Sequence, residues 1–507
     1  MLAVAAAVVS AAGCAVGPDY HRPGTSAPAT YKETPAGWKV AEPADRADRG
    51  PWWSIYDDAR LTALIEQLNA NNQTIAQYAA AYRQARALVG EARAAYFPTL
   101  GLSASASRSE QRFSGGGAGG TTGSSARIGN AFDTSLDASW EPDLWGKVSR
   151  TVAAQRAGQQ GAAADLANAR LSAQATLAQT YFQLRALDAT QKLLDDTVAA
   201  YAQSLKLTQN QYAQGVAARS DVIQAQTQLQ SAQAAALDNG VVRAQDEHAI
   251  AVLVGQSAST FSLPPIPLDA EPPSVPVGVP SVLLERRPDI AAAERRAAAA
   301  NEEIGVAMSA YFPSLTLSAQ GGFQSSVLSQ LFTLPSRFWT VGPQLAATLF
   351  DGGLRRAQTQ AARAAYDEQV AVYRQAVLGA FQEVEDALAS QRILAREIVV
   401  QRQAVDSARQ ALAIVTNEYK AGTVGYVNVL TAQTTAFSAE QKLASLSGQR
   451  MVSSVGLVKA LGGGWSVGQM DREDGSVAAP AAGAPMPVAA GPGQARQAAL
   501  TSPAARE

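Results

Sequence analysis

The sequence contains few of the residues that disulfide bonds and metal sites need. Among its 507 residues there are one cysteine, Cys14, and two histidines, His21 and His248. A single cysteine cannot close a disulfide within the chain. The two histidines lie far apart and lack the cysteine or carboxylate spacing of a metal site. We therefore expect no disulfide, no bound metal and no other cofactor.

Net charge and catalytic signatures are also scarce. The formal net charge is −2, whereas a nucleic-acid-binding protein needs a basic surface. The sequence has no P-loop. The letters G-x-S-x-G occur at 464–468 and G-x-G-x-x-G at 115–120, but neither run follows a predicted strand and opens a helix, as a nucleophile elbow or a dinucleotide-binding fingerprint does. No set of acid, base and nucleophile stands out elsewhere. We expect neither a nucleic-acid partner nor an enzyme.

The apolar run at the N-terminus is too short to cross a membrane. Residues 2–13 are all small or apolar, whereas a spanning helix needs about 20 such residues. The run is typical of a signal-peptide core, and because no basic residue precedes it, we expect the natural start to lie upstream of Met1. The small residues before Cys14 resemble a lipobox, in which the cysteine is acylated. Ala15 replaces the aspartate that retains enteric lipoproteins at the inner membrane, which favours the outer membrane.

These features predict a signal peptide at 1–13 and a lipidated segment at 14–60, with Cys14 as the acylated residue. An ordinary signal peptide followed by a chance cysteine is the alternative.

The chain repeats itself. AAYFPTLGLSAS at 94–105 recurs as SAYFPSLTLSAQ at 309–320, an offset of 215 residues. The segment at 207–233 recurs at 414–440 with an offset of 207, and Leu144 matches Leu349 with an offset of 205. We expect a first repeat at 61–262 and a second at 281–464, joined by a Pro-rich, extended and semi-rigid linker at 263–280. The Ala- and Pro-rich tail at 465–507 is typical of disorder.

Each repeat contains a β-hairpin of alternating residues, at about 99–141 and about 314–350. The period of two places Leu136 on one face and Asp137 on the other. Each strand is about the ten residues that a membrane strand needs, although a half-buried soluble sheet alternates in the same way. A membrane sheet must close because an open edge leaves backbone groups unpaired. The smallest barrels have about eight strands, so four strands in one chain would require an oligomer.

The remaining sequence is helical. From about Gly146 to Tyr212 there is no proline. The heptad spacing of a coiled coil relates Leu177, Tyr181, Leu184, Val198, Tyr201, Leu205, Thr208 and Tyr212 in the first repeat, and Val377, Phe381, Val384, Leu388, Gln391, Ala395 and Ile398 in the second. A helix of this length reaches about 90 Å, and its small flanking residues suit the wall of a tube. An antiparallel coiled coil without a tube is the alternative. Each long helix stops at a Tyr-x-x-Gly sequence, so we expect hairpin tips at Gly215 and Gly422.

Several blocks resemble one known family. They are CAVGPDYHRP, WWSIYDDARLTALIEQLNANN, the two YFP corners, SWEPDLWGKVSR, LLERRPDIAAAERR and LFDGG. They look like outer membrane factors of the TolC/OprM type, specifically the NodT-like efflux lipoproteins. The resemblance implies a membrane α+β fold and a homotrimer in which internally duplicated subunits share a twelve-stranded transmembrane β-barrel. That barrel would continue into a twelve-helix periplasmic α-barrel.

The same resemblance implies partners and a location. The channel would lie in the Gram-negative outer membrane, in contact with its lipid. It would receive drugs or other small molecules from an inner-membrane pump of the resistance-nodulation-division class through a periplasmic adaptor.

The resemblance also implies a gate at the hairpin tips. Asp221 and Tyr419 match a carboxylate and a tyrosine that link adjacent hairpins in the closed state, and Asn428 and Thr431 stand where relatives carry aspartates. A strong cation-binding ring is therefore not expected. The alternative role for Asp221 is that of a helix N-cap after the tip.

Other functions compete with the efflux duct. A structural coiled-coil lipoprotein would explain the helices without the alternating strands. A membrane-anchored hydrolase would need the catalytic set that is missing. A type I protein-secretion channel or a metal-efflux channel would share the duct's architecture.

Overall fold

The computed structural model describes residues 15–25, 28, 30–33, 51–114, 124–273, 275 and 286–465. The predicted signal peptide, Cys14 and the predicted tail after Trp465 lie outside these residues. After a short 3-10 helix at Trp52–Tyr56, the main elements follow in this order: α1 (Ala59–Asn71), α2 (Gln73–Ala94), β1 (Thr99–Ser114), β2 (Ser124–Trp140), α3 (Lys147–Ala213), α4 (Arg219–Leu253), α5 (Pro288–Ser309), β3 (Ser314–Ser325), β4 (Arg337–Ala346), α6 (Leu354–Lys420) and α7 (Tyr426–Ala460).

The duplication is visible in the lengths of the helices. Helices α2 and α5 each have 22 residues, α3 and α6 each have 67, and α4 and α7 each have 35. Both long helices begin after a glycine in the left-handed region, at Gly146 and Gly353. A side chain at that conformation would be strained, so glycine suits both positions.

The structure corrects one part of the sequence-based alignment of the repeats. Thr99 pairs with Ser139 in the first hairpin, and the equivalent Ser314 pairs with Ala346 in the second. The offset is therefore 215 before the hairpins and already 207 at their second strands, the same value that relates the long helices. The offset of 205 at Leu144 and Leu349 reflects similar residue types in loops of different local sequence, and those two positions are not equivalent in the fold.

The heptad pattern corresponds to the core of the helical region. Leu177, Tyr181 and Leu184 of α3 are buried, as are Val377 and Val384 of α6. They belong to one apolar cluster that also contains buried residues of α1, α5 and α7. Helix α2 packs on α3, α3 on α5, and α5 on α6.

The four strands form one antiparallel sheet in the order β1-β2-β3-β4. The two hairpins are joined through β2 and β3, whose register runs from Phe132 opposite Ser325 to Trp140 opposite Leu317. Strands β1 and β2 have 16 and 17 residues, longer than the ten expected, whereas β3 and β4 have 12 and 10. Strands β1 and β4 are the edges of the sheet.

An N-terminal segment packs along the start of α3 and is held there by hydrogen bonds. The backbone N–H of Val16 donates to the carbonyl of Trp145, and the buried guanidinium of Arg150 donates to Asp19 and to Glu302 of α5. Gly17 has φ +114, and a Cβ there would lie 2.6 Å from the Cα of Gly305. Ala15 is consequently held beside Gly146, at the junction between sheet and helices.

Hydrogen bonds to α3 and α4 also hold the start of the predicted linker. The backbone N–H groups of Leu263 and Ile266 donate to Glu247 and Asp188, and Arg243 donates to the carbonyl of Leu263. Its described residues belong to no helix or strand. Within the ranges described above, no helix has both the length and the hydropathy required to cross a bilayer.

Candidate functional site

One face of the sheet carries a polar network. Ser103 and Ser135, on neighbouring strands, have hydroxyl oxygens 2.8 Å apart, and each lies within hydrogen-bond distance of the same carboxylate oxygen of Asp137, at 3.2 and 3.1 Å. The amide of Gln320 donates to Ser135 from β3. Three strands are thus linked through side chains on this face, which could border an aqueous passage.

Gly322 makes room for the centre of that network. It lies opposite the fully buried Ser135, and a Cβ at Gly322 would fall 2.1 Å from the carbonyl oxygen of Thr134. That is far inside contact distance with backbone atoms, which cannot rotate away. Only glycine lets β2 and β3 approach so closely.

The opposite face of the sheet is apolar and exposed in the single chain. Strand pairing places Leu102 opposite Leu136, and Ala319 opposite Val341. The exposed apolar members of this face include Leu100, Leu102, Ile128, Leu136, Trp140, Leu317, Trp339, Val341 and Leu345. An exposed apolar surface that runs over all four strands indicates contact with lipid or another apolar partner.

Two aromatic residues on this apolar face are separated by about the height of a membrane band. Phe132 and Trp140 share the face on β2, and eight residues of strand span about 26 Å. The apolar band of a membrane barrel is about 25 Å tall and is flanked by aromatic residues. Trp140 donates its indole N–H to the carbonyl of Tyr96, so this end of the band adjoins the first YFP corner.

The second candidate site comprises the two hairpin tips. Helix α3 ends at a turn in which Gly215 has φ +77, and α6 ends at a turn in which Gly422 has φ +74. The N–H of Val216 donates to the carbonyl of Gln211, and that of Thr423 donates to Glu418 in the equivalent position. Both predicted tip glycines therefore occupy the left-handed conformation that closes a helix.

The two tips contact each other within the chain. Tyr419 and Tyr426 are buried and meet edge-to-face with ring centroids 5.6 Å apart. The hydroxyl of Tyr419 donates to the buried Thr208 of α3 across 3.3 Å, and Gln433 donates to Ser204 across 2.8 Å. A small apolar cluster that includes Ala225 surrounds the two rings.

The predicted gate residues lie close to these contacts but are not joined to one another in one chain. The hydrogen bonds of the described residues link Tyr419 to Thr208 and not to Asp221. Asp221 is half-buried, whereas Asn428 and Thr431 are exposed one turn apart on α7. The hydroxyl of Thr431 donates to its own helix, at Val427.

The alternative role of Asp221 as an N-cap is wrong. The N-cap of α4 is Ala218, which makes no side-chain capping bond, and Asp221 lies inside the first turn. A negative charge there interacts favourably with the positive end of the helix dipole.

Burial shapes the chemistry of the tyrosines at the tips. It raises the pKa of Tyr426 to about 12, and the nearby Tyr419, Tyr201 and Asp221 add smaller contributions in the same direction. The contribution of Asp221 reflects the nearness of its carboxylate to Tyr426. Sequence reasoning overlooked Thr208 and Tyr426 as tip contacts. The available signal was a hydroxyl residue, Thr208, at a heptad position that is otherwise apolar.

Among the described residues, no group of three or more histidine, cysteine, aspartate or glutamate side chains is arranged to hold a metal ion.

The chain is similar to known proteins along both repeats. A protein-family model described as outer membrane efflux protein matches residues 64–256 and 279–463. The solvent efflux pump outer membrane protein SrpC of Pseudomonas putida is 33% identical over 471 residues, which cover 91% of this chain and 98% of that protein. The cation efflux system protein CusC of Escherichia coli is 29% identical over 454 residues, which cover 89% and 96%.

Solved structures show the same similarity. The outer-membrane channel OprN has 32% sequence identity and a TM-score of 0.79 over 89% of this chain and 100% of its own.

Proposed function

Because the chain belongs to the outer membrane efflux protein family, it is an outer membrane efflux channel, and we propose that three copies share one channel. The observation that carries this proposal is the four-stranded sheet with one polar face, one exposed apolar face and two unpaired edges. In hydrocarbon, unpaired backbone groups cost several kcal/mol each, at about the level of a lost hydrogen bond in apolar solvent. The edges would therefore pair with the edges of other copies.

Three copies would supply twelve strands. That number exceeds the eight or so strands of the smallest membrane barrels, and the TolC/OprM resemblance implies it. The apolar face would meet lipid, and the network around Ser135 and Asp137 would face the lumen. Each copy's α2, α3, α5 and α6 would line up side by side in the wall of a twelve-helix tube.

The long helices give this tube its reach. A helix of 67 residues extends about 100 Å at about 1.5 Å per residue. That length suits a duct that crosses the periplasm towards a pump in the inner membrane, through an adaptor protein. We propose these partners because the relatives are named as parts of efflux pumps.

The hairpin tips would form the resting gate at the far end of the duct. We propose Asp221 and Tyr419 as a latch between neighbouring hairpins, with Asn428 and Thr431 exposed beside it. The half-buried position of Asp221, close to the tyrosine cluster, supports this role. Exposed amide and hydroxyl groups at 428 and 431 would make the constriction weakly selective for cations.

The lipid anchor at Cys14 is a further part of the proposal. Cys14 lies outside the described residues, but Ala15 is held beside Gly146, close to where β2 leaves the sheet. An acyl chain on the preceding residue would need to reach only the nearest membrane surface. Several acyl chains hold a protein strongly, at about 0.8 kcal/mol per buried CH₂.

The transported compounds would be drugs, solvents or other small molecules delivered by the pump. Relatives of similar identity are named for solvents and for cations, which supports a duct whose substrate is selected by the pump. The metal-efflux and protein-secretion alternatives differ in the pump and adaptor.

Mass measurement and electrical recording test the proposal together. The detergent-purified protein should have the mass of three chains and should form pores of one conductance class in planar bilayers. A monomer in detergent and in membranes that forms no pores would overturn the shared channel.

A further inference from the structure

In the proposed shared channel, two copies would be joined where β4 of one meets β1 of the next, and the internal duplication indicates how. We propose that this seam has the same register as the joint between β2 and β3, so that Leu345 of one copy lies opposite Ala104 of the next. The inference rests on the proposed shared channel, and it identifies the partner surface as the edge of a second copy.

The register follows from two offsets in the structure. Strand β1 is equivalent to β3 with an offset of 215, and β2 is equivalent to β4 with an offset of 207, because Thr99–Ser139 and Ser314–Ala346 are matching pairs. Within one chain Ala138 lies opposite Ala319. Adding 207 to the number of Ala138 gives Leu345 of β4, and subtracting 215 from that of Ala319 gives Ala104 of β1.

The chemistry of the two edges agrees with this register. Leu345 and Ala104 both belong to the apolar face, so the seam would leave that face continuous. On the other face, Gln344 would lie opposite Ser105, in the place that Asp137 and Gln320 occupy within the chain. A slip of one residue would turn every apolar side chain of β4 towards the lumen.

The loops that follow β2 and β4 also indicate a contact with a second copy. Within the chain, Trp145 follows β2 and stacks on Phe312, with ring centroids 4.9 Å apart. The equivalent loop follows β4. With the offset of 215, Phe97 corresponds to Phe312, and at the seam this Phe97 would belong to the next copy. In one chain Phe97 is 70% exposed, and Leu349 and Phe350 of the corner are 95% and 87% exposed. The neighbour's corner loop would cover Phe97 with these two side chains.

Cysteine cross-linking in isolated membranes tests the register. Leu345→Cys is combined in turn with Leu102→Cys, Ala104→Cys and Ala106→Cys, each single variant serves as a background control, and disulfides are formed by mild oxidation. The variant Ala138→Cys with Ala319→Cys is the matched control, because it occupies the equivalent pair inside one chain.

We expect Leu345→Cys with Ala104→Cys to lose its monomer band to covalent oligomers, and the other two combinations to keep most of theirs. If Leu345→Cys instead formed the most covalent oligomer with Leu102→Cys or with Ala106→Cys, the proposed register would be wrong and the shared channel would stand. No oligomer in any combination, while the matched control closes, would overturn the seam and the shared channel together.

A second measurement addresses the corner. Phe350→Ala and Phe97→Ala should each lower the temperature at which the oligomer dissociates in detergent, and their combination should lower it by less than the sum. Leu334→Ala, which removes a similarly exposed side chain between β3 and β4, should cause no shift. Additive effects of the two phenylalanine variants would remove the corner contact from the seam.

Discussion

The hydroxyl of Tyr419 lies 3.3 Å from that of Thr208, so a buried hydrogen bond joins the tip of the second helical hairpin to the long helix of the first. This bond is internal to one chain. It holds the two hairpins of a chain as a pair. Because the phenol of Tyr419 has one proton, the proposed latch to Asp221 of a neighbouring copy would take that proton away from Thr208. The tips therefore contain a contact that maintains each subunit and a proposed one that closes the gate.

Two sets of variants distinguish the internal bond from the proposed latch. Asp221→Ala combined with Tyr419→Phe should raise single-channel conductance in planar bilayers without the pump, because a hydrogen bond to a charged group contributes about 1.5–3 kcal/mol and three would be lost together. Thr208→Val removes only the internal bond and should reduce stability by about 0.5–1.5 kcal/mol with little change in conductance. Equal conductance of the double variant and the wild type, in intact oligomers, would remove Asp221 and Tyr419 from the gate.

The faces of the sheet can be tested with one charge placed on either side of β2. Leu136→Arg puts a guanidinium on the proposed lipid face, where it costs about 2–4 kcal/mol at mid-membrane. Ser139→Arg puts the same group on the polar face of the same strand and leaves the hydrogen bonds of Asp137 intact. We expect Leu136→Arg to reduce the amount of heat-resistant oligomer in outer membranes far more than Ser139→Arg does. Similar losses in both variants would contradict the assignment of the faces.

Adjacent glycines of β3 provide a test of close strand packing. A Cβ at Gly322 would lie 2.1 Å from the carbonyl oxygen of Thr134, whereas one at Gly321 would have no atom nearer than 3.9 Å. Gly322→Ala should therefore destabilise the sheet by about 1–3 kcal/mol, as overpacking does, or more because backbone must move. Gly321→Ala should be nearly neutral. Thermal melting followed by circular dichroism would measure both, and equal midpoints would contradict the proximity of β2 and β3.

The anchor prediction concerns Cys14. Intact-mass spectrometry of the purified chain should find Cys14 as an acylated N-terminal residue, because the AAGC sequence resembles a lipobox and Ala15 is held at the junction of sheet and helices. Cys14→Ser should lose the added acyl mass. A mature N-terminus elsewhere, or an unmodified cysteine, would show that the protein is held by its strands alone.

Much of the fold could be predicted from short sequence periods. The heptads identified the buried positions Leu177 and Tyr181 of α3, and alternation placed Leu136 and Asp137 on opposite faces of β2. Tip positions followed from glycine, because Gly215 and Gly422 adopt positive φ, which few other residues tolerate. The exception was Tyr212, a predicted heptad position that is 47% exposed, since close packing ends before the tip.

The sequence by itself determined the local elements, the duplication and the two faces of the sheet, because period, proline and glycine act on backbone conformation within a few residues. Only the tertiary structure decided which distant atoms meet. It showed that the repeats are offset by 207 and not by 205 after the hairpins, that Tyr419 bonds to Thr208, and that Gly322 lies against the backbone of Thr134. Such contacts depend on strand register and helix packing over about two hundred residues of chain. Similar residue types, such as Leu144 and Leu349, can recur near an equivalent position without occupying it.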